Sequence, residues 1–225
     1  RLASCVELMD GSPVTQSTQA FFRSCVRQAD DASAAAIEQR IRIGPWNVIL
    51  RHMSRSTCGP YSDAFRHLKW GFDDDSDLTI YCIETKSCGF DLGAAPWARD
   101  DIGSMGEILG LDGSSLSALW DFQRNAIHML DSSAKTGLII IEDAEDLPGW
   151  EYTFPLRNLL HWHGLSQGCT MVHAGAVGTD NAAAVIVGVG GSGKSTTTIA
   201  CTNAGLKMAG DDFILVDPSR DPCVY

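Results

Sequence analysis

The sequence predicts an α+β protein in two parts: a mostly antiparallel, β-rich portion over residues 1–150, then a smaller α/β domain over residues 151–225. Three observations predict it. A glycine-rich loop, Gly188-Val-Gly-Gly-Ser-Gly-Lys-Ser195, stands between a strand-like apolar segment, Ala182-Ala-Ala-Val-Ile-Val187, and Ile199-Ala-Cys-Thr-Asn-Ala204, which continues a helix up to Gly205. Short apolar runs recur between turn residues over 117–142, in the rhythm of an antiparallel meander. Upstream of the loop, Cys169–Val177 and Ala182–Val187 are joined by Gly178-Thr-Asp-Asn181, which predicts an antiparallel hairpin.

With 225 residues, 44% of them hydrophobic, the chain is long and apolar enough to bury a core as one large domain or two small ones. Its formal charge of -11 argues against nucleic acid and anionic membrane surfaces as partners, because such binding draws on Lys and Arg neutralising phosphates. No apolar run approaches the roughly 18 to 20 residues of a membrane span, and no charged-then-apolar signal pattern opens the chain. The eight cysteines, at positions 5, 25, 58, 82, 88, 169, 201 and 223, form neither a C-x-x-C pair nor a zinc-ribbon spacing. They are expected to be reduced thiols in a cytoplasmic protein. The chain begins at Arg1 without a methionine and stops at Tyr225, just past a strand-like segment, so both ends are expected to be cut.

Taken in order, Ala20 to Ala36 is alanine-rich and suits a helix. Ile41-Arg-Ile43 and Val48–His52 bracket Gly44-Pro-Trp-Asn47 and are expected to form a hairpin. Tyr61–Trp70 suits a helix. Asp73-Asp-Asp-Ser-Asp77 lacks the glycine and distal glutamate of a calcium loop and reads as a solvated acidic turn. Leu78–Ile83 is a strand, and residues 90–115, punctuated by Gly, Pro, Asp and Ser, form a long connection. Ser117–Phe122, Asn125–Leu130 and Gly137–Glu142 are the meander. No catalytic constellation is legible between residues 40 and 145. Pro155 is placed to start a helix through Leu156–His163, on which His161 and His163 point to different faces and cannot easily share an ion.

The loop carries the chemistry. It fits G-x-x-x-x-G-K-[ST], the Walker A or P-loop pattern, in the strand-loop-helix context the pattern requires. Gly188, Gly190, Gly191 and Gly193 let the backbone fold so that N–H groups and a helix N-terminus converge on phosphate oxygens. Lys194 reaches the β- and γ-phosphates, and the Ser195 hydroxyl can ligate Mg²⁺. With Ser192 and Thr196 these are the expected nucleotide-contacting residues, and ATP with Mg²⁺ the expected cofactors. Leaving an antiparallel hairpin, the loop differs from that of ordinary nucleotide hydrolases, which βαβ crossovers feed.

His173 lies 21 positions before Lys194, and Gly210-Asp-Asp212 begins 16 positions after it, ahead of Phe213-Ile-Leu-Val-Asp217. The combination VHAGAV…GVGGSGKSTTTIACTNAGLKMAGDDFILVD resembles the catalytic domain of HPr kinase/phosphorylase, and more closely the HPr-kinase-like serine kinases with a long N-terminal β-rich extension. It covers residues 155–225. The resemblance implies a P-loop kinase fold related to phosphoenolpyruvate carboxykinase. It implies Asp211 as the base for the acceptor hydroxyl, His173 as an active-site histidine, Lys194 on the phosphates, Ser195 on Mg²⁺ and Asp212 as a second carboxylate beside the metal. Two adjacent carboxylates near Mg²⁺ suit that division, one as base and one as metal neighbour. Ser195-Thr196 departs from the Ser-Glu common in the family.

The expected function is therefore ATP- and Mg²⁺-dependent phosphoryl transfer to a serine hydroxyl of a protein or peptide; a homo-oligomer is compatible with it. Two alternatives read the same residues. In a P-loop hydrolase or switch, Asp217 would be the Walker-B carboxylate and Asp211-Asp212 only a turn. In a non-catalytic nucleotide sensor, the β-rich portion would be an interaction domain.

Overall fold

The computed structural model describes residues 12–68, 75–149, 154–219 and 222–225. The expectations for Cys5, for the predicted helix end at Trp70 and for Asp73 and Asp74 lie outside them. The fold is mixed α and β, with one six-stranded sheet and two three-stranded sheets. The chain divides into two compact units, one of residues 1–42 and 46–159 and one of residues 43–45 and 160–225.

In the first unit Ser12 caps helix α1 (Pro13–Asp31), its hydroxyl accepting from the Thr15 N–H with Pro13 in the first turn, where a missing N–H costs nothing. Both Ser12 Oγ and Thr15 Oγ1 donate to the Gly110 carbonyl at 2.9 Å, tying the helix start to the long connection. Phe22, Cys25 and Ala29 then fall on one buried face. Strands β1 (Ile37–Ile43) and β2 (Trp46–His52) follow about Gly44, whose φ of +55° suits the tight turn. Helix α2 (Arg55–Phe65), strand β3 (Leu78–Glu84) and a single helical turn α3 (Thr85–Cys88) come next. The long connection leads to the meander of β4 (Leu116–Asp121), β5 (Ala126–Asp131) and β6 (Thr136–Ile141), turned at Asn125 (φ 45°) and Lys135 (φ 51°).

The sheet order is β1-β2-β3-β6-β5-β4. This corrects the expectation of a mostly antiparallel N-terminal portion, because the two central pairings, β2 with β3 and β3 with β6, are parallel. The reason lies in the connections. Helix α2 carries the chain from β2 back over the sheet, as a parallel pair requires. The central strands are accordingly apolar on both faces: six of the seven β3 residues are buried. Tyr81, Ile83, Met129, Leu138 and Ile140 pack with Phe22, Cys25 and Ala29 of α1 as one core. Two histidines are buried on the other face of the sheet, paired with Cys82 and Ile139. His128 on β5 has no hydrogen-bond partner at either ring nitrogen among the described residues, and His52 on β2 has only Gln39 Oε1 at 3.3 Å.

Helix α4 (Arg157–Ser166) leads into the second unit, which holds β7 (Thr170–Val172), β8 (Gly175–Gly178), β9 (Ala183–Ile186), α5 (Lys194–Asn203), β10 (Lys207–Gly210), β11 (Ile214–Asp217) and β12 (Cys223–Val224). β8 lies between β10 and β9, and β11 between β12 and β7, with every pairing antiparallel. One core cluster among them is small: Ala174, Ala176 and Ile214, with Val172, Val216 and Val224 against it.

Candidate phosphate-binding and carboxylate site

The hairpin expected ahead of the glycine loop is present as β8 and β9, which pair from Gly175 with Ile186 to Gly178 with Ala183. β9 feeds the loop and α5 begins at Lys194, so the chain runs strand, loop, helix. Two loop glycines have conformational reasons. Gly191 and Gly193 hold φ of +76° and +92°, which other residues rarely adopt. Gly188 is needed for space, since a Cβ there would lie 2.4 Å from Ser192 Oγ. Lys194 Nζ donates to the Gly188 carbonyl at 3.0 Å, folding the lysine across the loop. Gly190, Ser192, Ser195 and Thr196 are exposed, so the loop is open to a ligand.

His173 does not sit within one strand running Cys169–Val177, as expected. That stretch is two strands in different sheets: β7 pairs with β11, whereas β8 pairs with β9 and β10, and the chain bends between them at His173-Ala174. The aspartate pair makes the matching move. Asp211-Asp212 does not follow a helix directly, because β10 intervenes, and the pair forms the bend from β10 in one sheet to β11 in the other. Gly210 permits this bend; a Cβ would come within 2.9 Å of Ile214 Cγ2 and 3.0 Å of the Phe213 carbonyl oxygen.

The two crossings lie side by side, and this brings the predicted residues together. The Ala174 N–H donates to the Asp212 carbonyl at 3.1 Å. His173 Nε2 lies 2.9 Å from Asp212 Oδ1, and its ring stacks on Phe213 with centroids 5.1 Å apart. Side-chain exposures of 57% and 66% make the His173–Asp212 contact worth little to stability, so its effect is to orient the imidazole. Asp211 faces the other way. Its Oδ1 is buried and has no hydrogen-bond partner among the described residues.

Gly175 and Thr198, which the sequence reading did not single out, join Asp211 to the loop helix. A Cβ on Gly175 would stand 2.3 Å from Thr198 Oγ1 and 3.6 Å from Asp211 Oδ1. Thr198 is fully buried and donates through Oγ1 to the Lys194 carbonyl at 3.0 Å, so it pins the first turn of α5 where Asp211 approaches. The glycine in VHAGAV was the available signal, since a strand glycine often marks a close approach.

Asp217 stands apart from this group within the same unit. The β11 end near His173 is Ile214, paired with Val172; Asp217 is at the opposite end, paired with Cys223. Its Oδ1 accepts from the Ser219 N–H at 2.9 Å, closing a turn. Among the described residues no three His, Cys, Asp or Glu side chains cluster as a metal cage. Mg²⁺ does not need one, since it commonly rests on one or two protein oxygens plus substrate phosphates. Of the eight cysteines the seven described are free thiols, and no described helix is long and apolar enough to cross a membrane. No protein-family model matches the chain, and no curated protein matches it.

Proposed function

We propose that the chain is an ATP- and Mg²⁺-dependent phosphotransferase of the HPr-kinase-like kind, with a serine hydroxyl of a protein or peptide as acceptor and Asp211 as the base. The observation that carries the reading is the buried Asp211 Oδ1, without a hydrogen-bond partner among the described residues and set beside the helix that the glycine loop begins. Leaving a buried acceptor without a donor costs about 1–3 kcal/mol. A hydroxyl donor removes that cost and at the same time places its proton on the group able to take it.

A bound nucleotide supplies the phosphoryl group, and Mg²⁺ the charge that offsets its oxygens. The chain's own parts then divide the work. Loop N–H groups and the α5 N-terminus hold phosphate oxygens. Lys194, now bonded to the Gly188 carbonyl, would turn to phosphate, and Ser195 and Asp212 would offer oxygens to the ion. Asp211 accepts the serine proton. His173, held by Asp212 and Phe213, lines the acceptor side and orients the carboxylate that holds it.

Titration with Mg·ATP tests the reading at its root. Lys194→Ala removes a charge-assisted contact and should weaken binding about tenfold or more. Equal affinity in wild type and variant would contradict it.

A further inference from the structure

The first unit contains a second site that this phosphotransferase reading does not use. The long connection closes on itself through a bridge pairing Ile102 with Ile108 and reaches β4 through one pairing Glu107 with Leu119. It is fastened by the Gly103 N–H to the Glu107 carbonyl at 2.8 Å and the Trp120 N–H to the Gly106 carbonyl at 2.8 Å. Gly106 (φ +88°) makes the fastening possible, since a Cβ there would lie 2.2 Å from the Trp120 carbonyl oxygen. The walls are therefore held by main chain. Between them lies a cleft of about 430 Å³, lined by Trp97, Arg99, Ile102, Ser104, Trp120 and Phe122. That volume is within the range of small-molecule sites, about 300–1,000 Å³.

Two features of the lining specify a ligand class. The aromatic rings run in series, Trp97 to Trp120 at 6.5 Å and Trp120 to Phe122 at 5.5 Å, and Phe122 is 57% exposed, a large ring left uncovered at the mouth. Such a run of ring surface favours an aromatic ligand. The only charge among the lining residues is Arg99, and no described carboxylate pairs with it. Nearby acids are engaged elsewhere: Asp101 Oδ2 accepts from the Ala98 N–H at 2.8 Å and Glu107 Oε2 from the Met105 N–H at 2.9 Å. Asp100 is exposed and is not among the lining residues. We propose that this cleft binds a small planar aromatic anion, its rings laid against the uncovered face of Phe122 and the adjoining edge of Trp120, and its carboxylate on the Arg99 guanidinium.

The ordering of three matched probes tests this on the whole chain by calorimetry: 2-naphthoate, 2-naphthylmethanol and 2-naphthylmethylammonium. The naphthoate should bind about tenfold more tightly than the alcohol, the value of one charge-assisted contact, and the ammonium most weakly. Arg99→Gln should bring naphthoate down to the level of the alcohol and leave the alcohol unchanged. Phe122→Ala should weaken both. Arg99 and Phe122 are exposed, so neither variant endangers folding. Absence of binding by all three, equal affinities for naphthoate and alcohol, tightest binding of the ammonium, or indifference of naphthoate to Arg99→Gln would each overturn the assignment. So would indifference of both probes to Phe122→Ala.

Discussion

The two units solve the problem of burying a chain differently. The first stacks large side chains, with Leu78, Ile80, Ile83, Met129, Leu130, Leu138, Ile139 and Ile141 almost fully buried in adjoining strands. The second buries fewer and mostly smaller side chains, among the described residues Leu160, Cys169, Ala174, Ala176, Val177, Ile214 and Leu215, and leaves Val185, Val187, Ile199 and Met208 between 41% and 68% exposed on and about its loop-bearing elements. Yet the glycine loop, His173 and the aspartate pair are in the second. On the proposed reading, the comparison teaches that stability and phosphoryl chemistry are separated along this chain: one unit supplies cohesion, and the other spends close contacts on placing polar groups. Sites that must open to ligands belong to the less consolidated part of a protein.

The largest expected break in this contrast is a cavity in the first unit. Leu138→Ala, at a fully buried position of β6, should lower unfolding free energy in urea by about 2–5 kcal/mol. Mg·ATP binding by the folded fraction should be unchanged.

Acidification acts on the same unit next. Burial pushes the pKa of both His52 and His128 from 6.5 down to about 4. The unfolded chain therefore binds protons that the folded one refuses, so their stabilising effect is complete above pH 6.5 and is lost as pH falls toward 4. At pH 5 each histidine should cost about 2 kcal/mol relative to neutral pH, read as a shift of the urea midpoint. His128→Leu should remove about half of that shift. A flat profile between pH 7 and pH 5 would count against buried neutral rings.

In the second unit the tightest contact is the informative one. Gly175→Ala places a methyl group where Thr198 Oγ1 stands, which should cost about 1–3 kcal/mol and weaken Mg·ATP binding by displacing α5. Adding Thr198→Ala should return part of both losses, a coupling that a double-mutant cycle measures. Additive losses would show that the two residues do not share the space. Smallest of all, Val187→Ala, 68% exposed, should change stability by no more than about 0.5 kcal/mol.

Much of this was readable from residues. Glycine and proline punctuation located the β1–β2 turn, the three-stranded meander and the hairpin into the loop, because each is a local device. The parallel centre of the large sheet was not read, although Leu78–Ile83 on β3 and Leu138–Ile141 on β6 are nearly unbroken apolar runs of the kind strands buried on both faces show. Such a run does not say which strands flank it. The bend at His173 and the short strand β10 were missed for a related reason. Lys207-Met-Ala-Gly210 has no alternation, and its strand character comes from β8 beside it. The nearness of Gly175 to Thr198 is a tertiary fact about residues 23 positions apart, with no local signature.

The central claim is that Asp211, and not Asp217, meets the acceptor. Transfer of labelled γ-phosphate from ATP to a serine acceptor, compared for wild type, Asp211→Asn and Asp217→Asn, tests it most directly. Asp211→Asn keeps the size and removes the base, so Mg·ATP binding should stay close to wild type while transfer falls about 100-fold or more. Asp217→Asn, altering a side chain that closes a turn with Ser219, should leave transfer nearly unchanged. Loss of transfer or of ATP hydrolysis at Asp217, with Asp211 indifferent, would contradict the account and favour a Walker-B hydrolase.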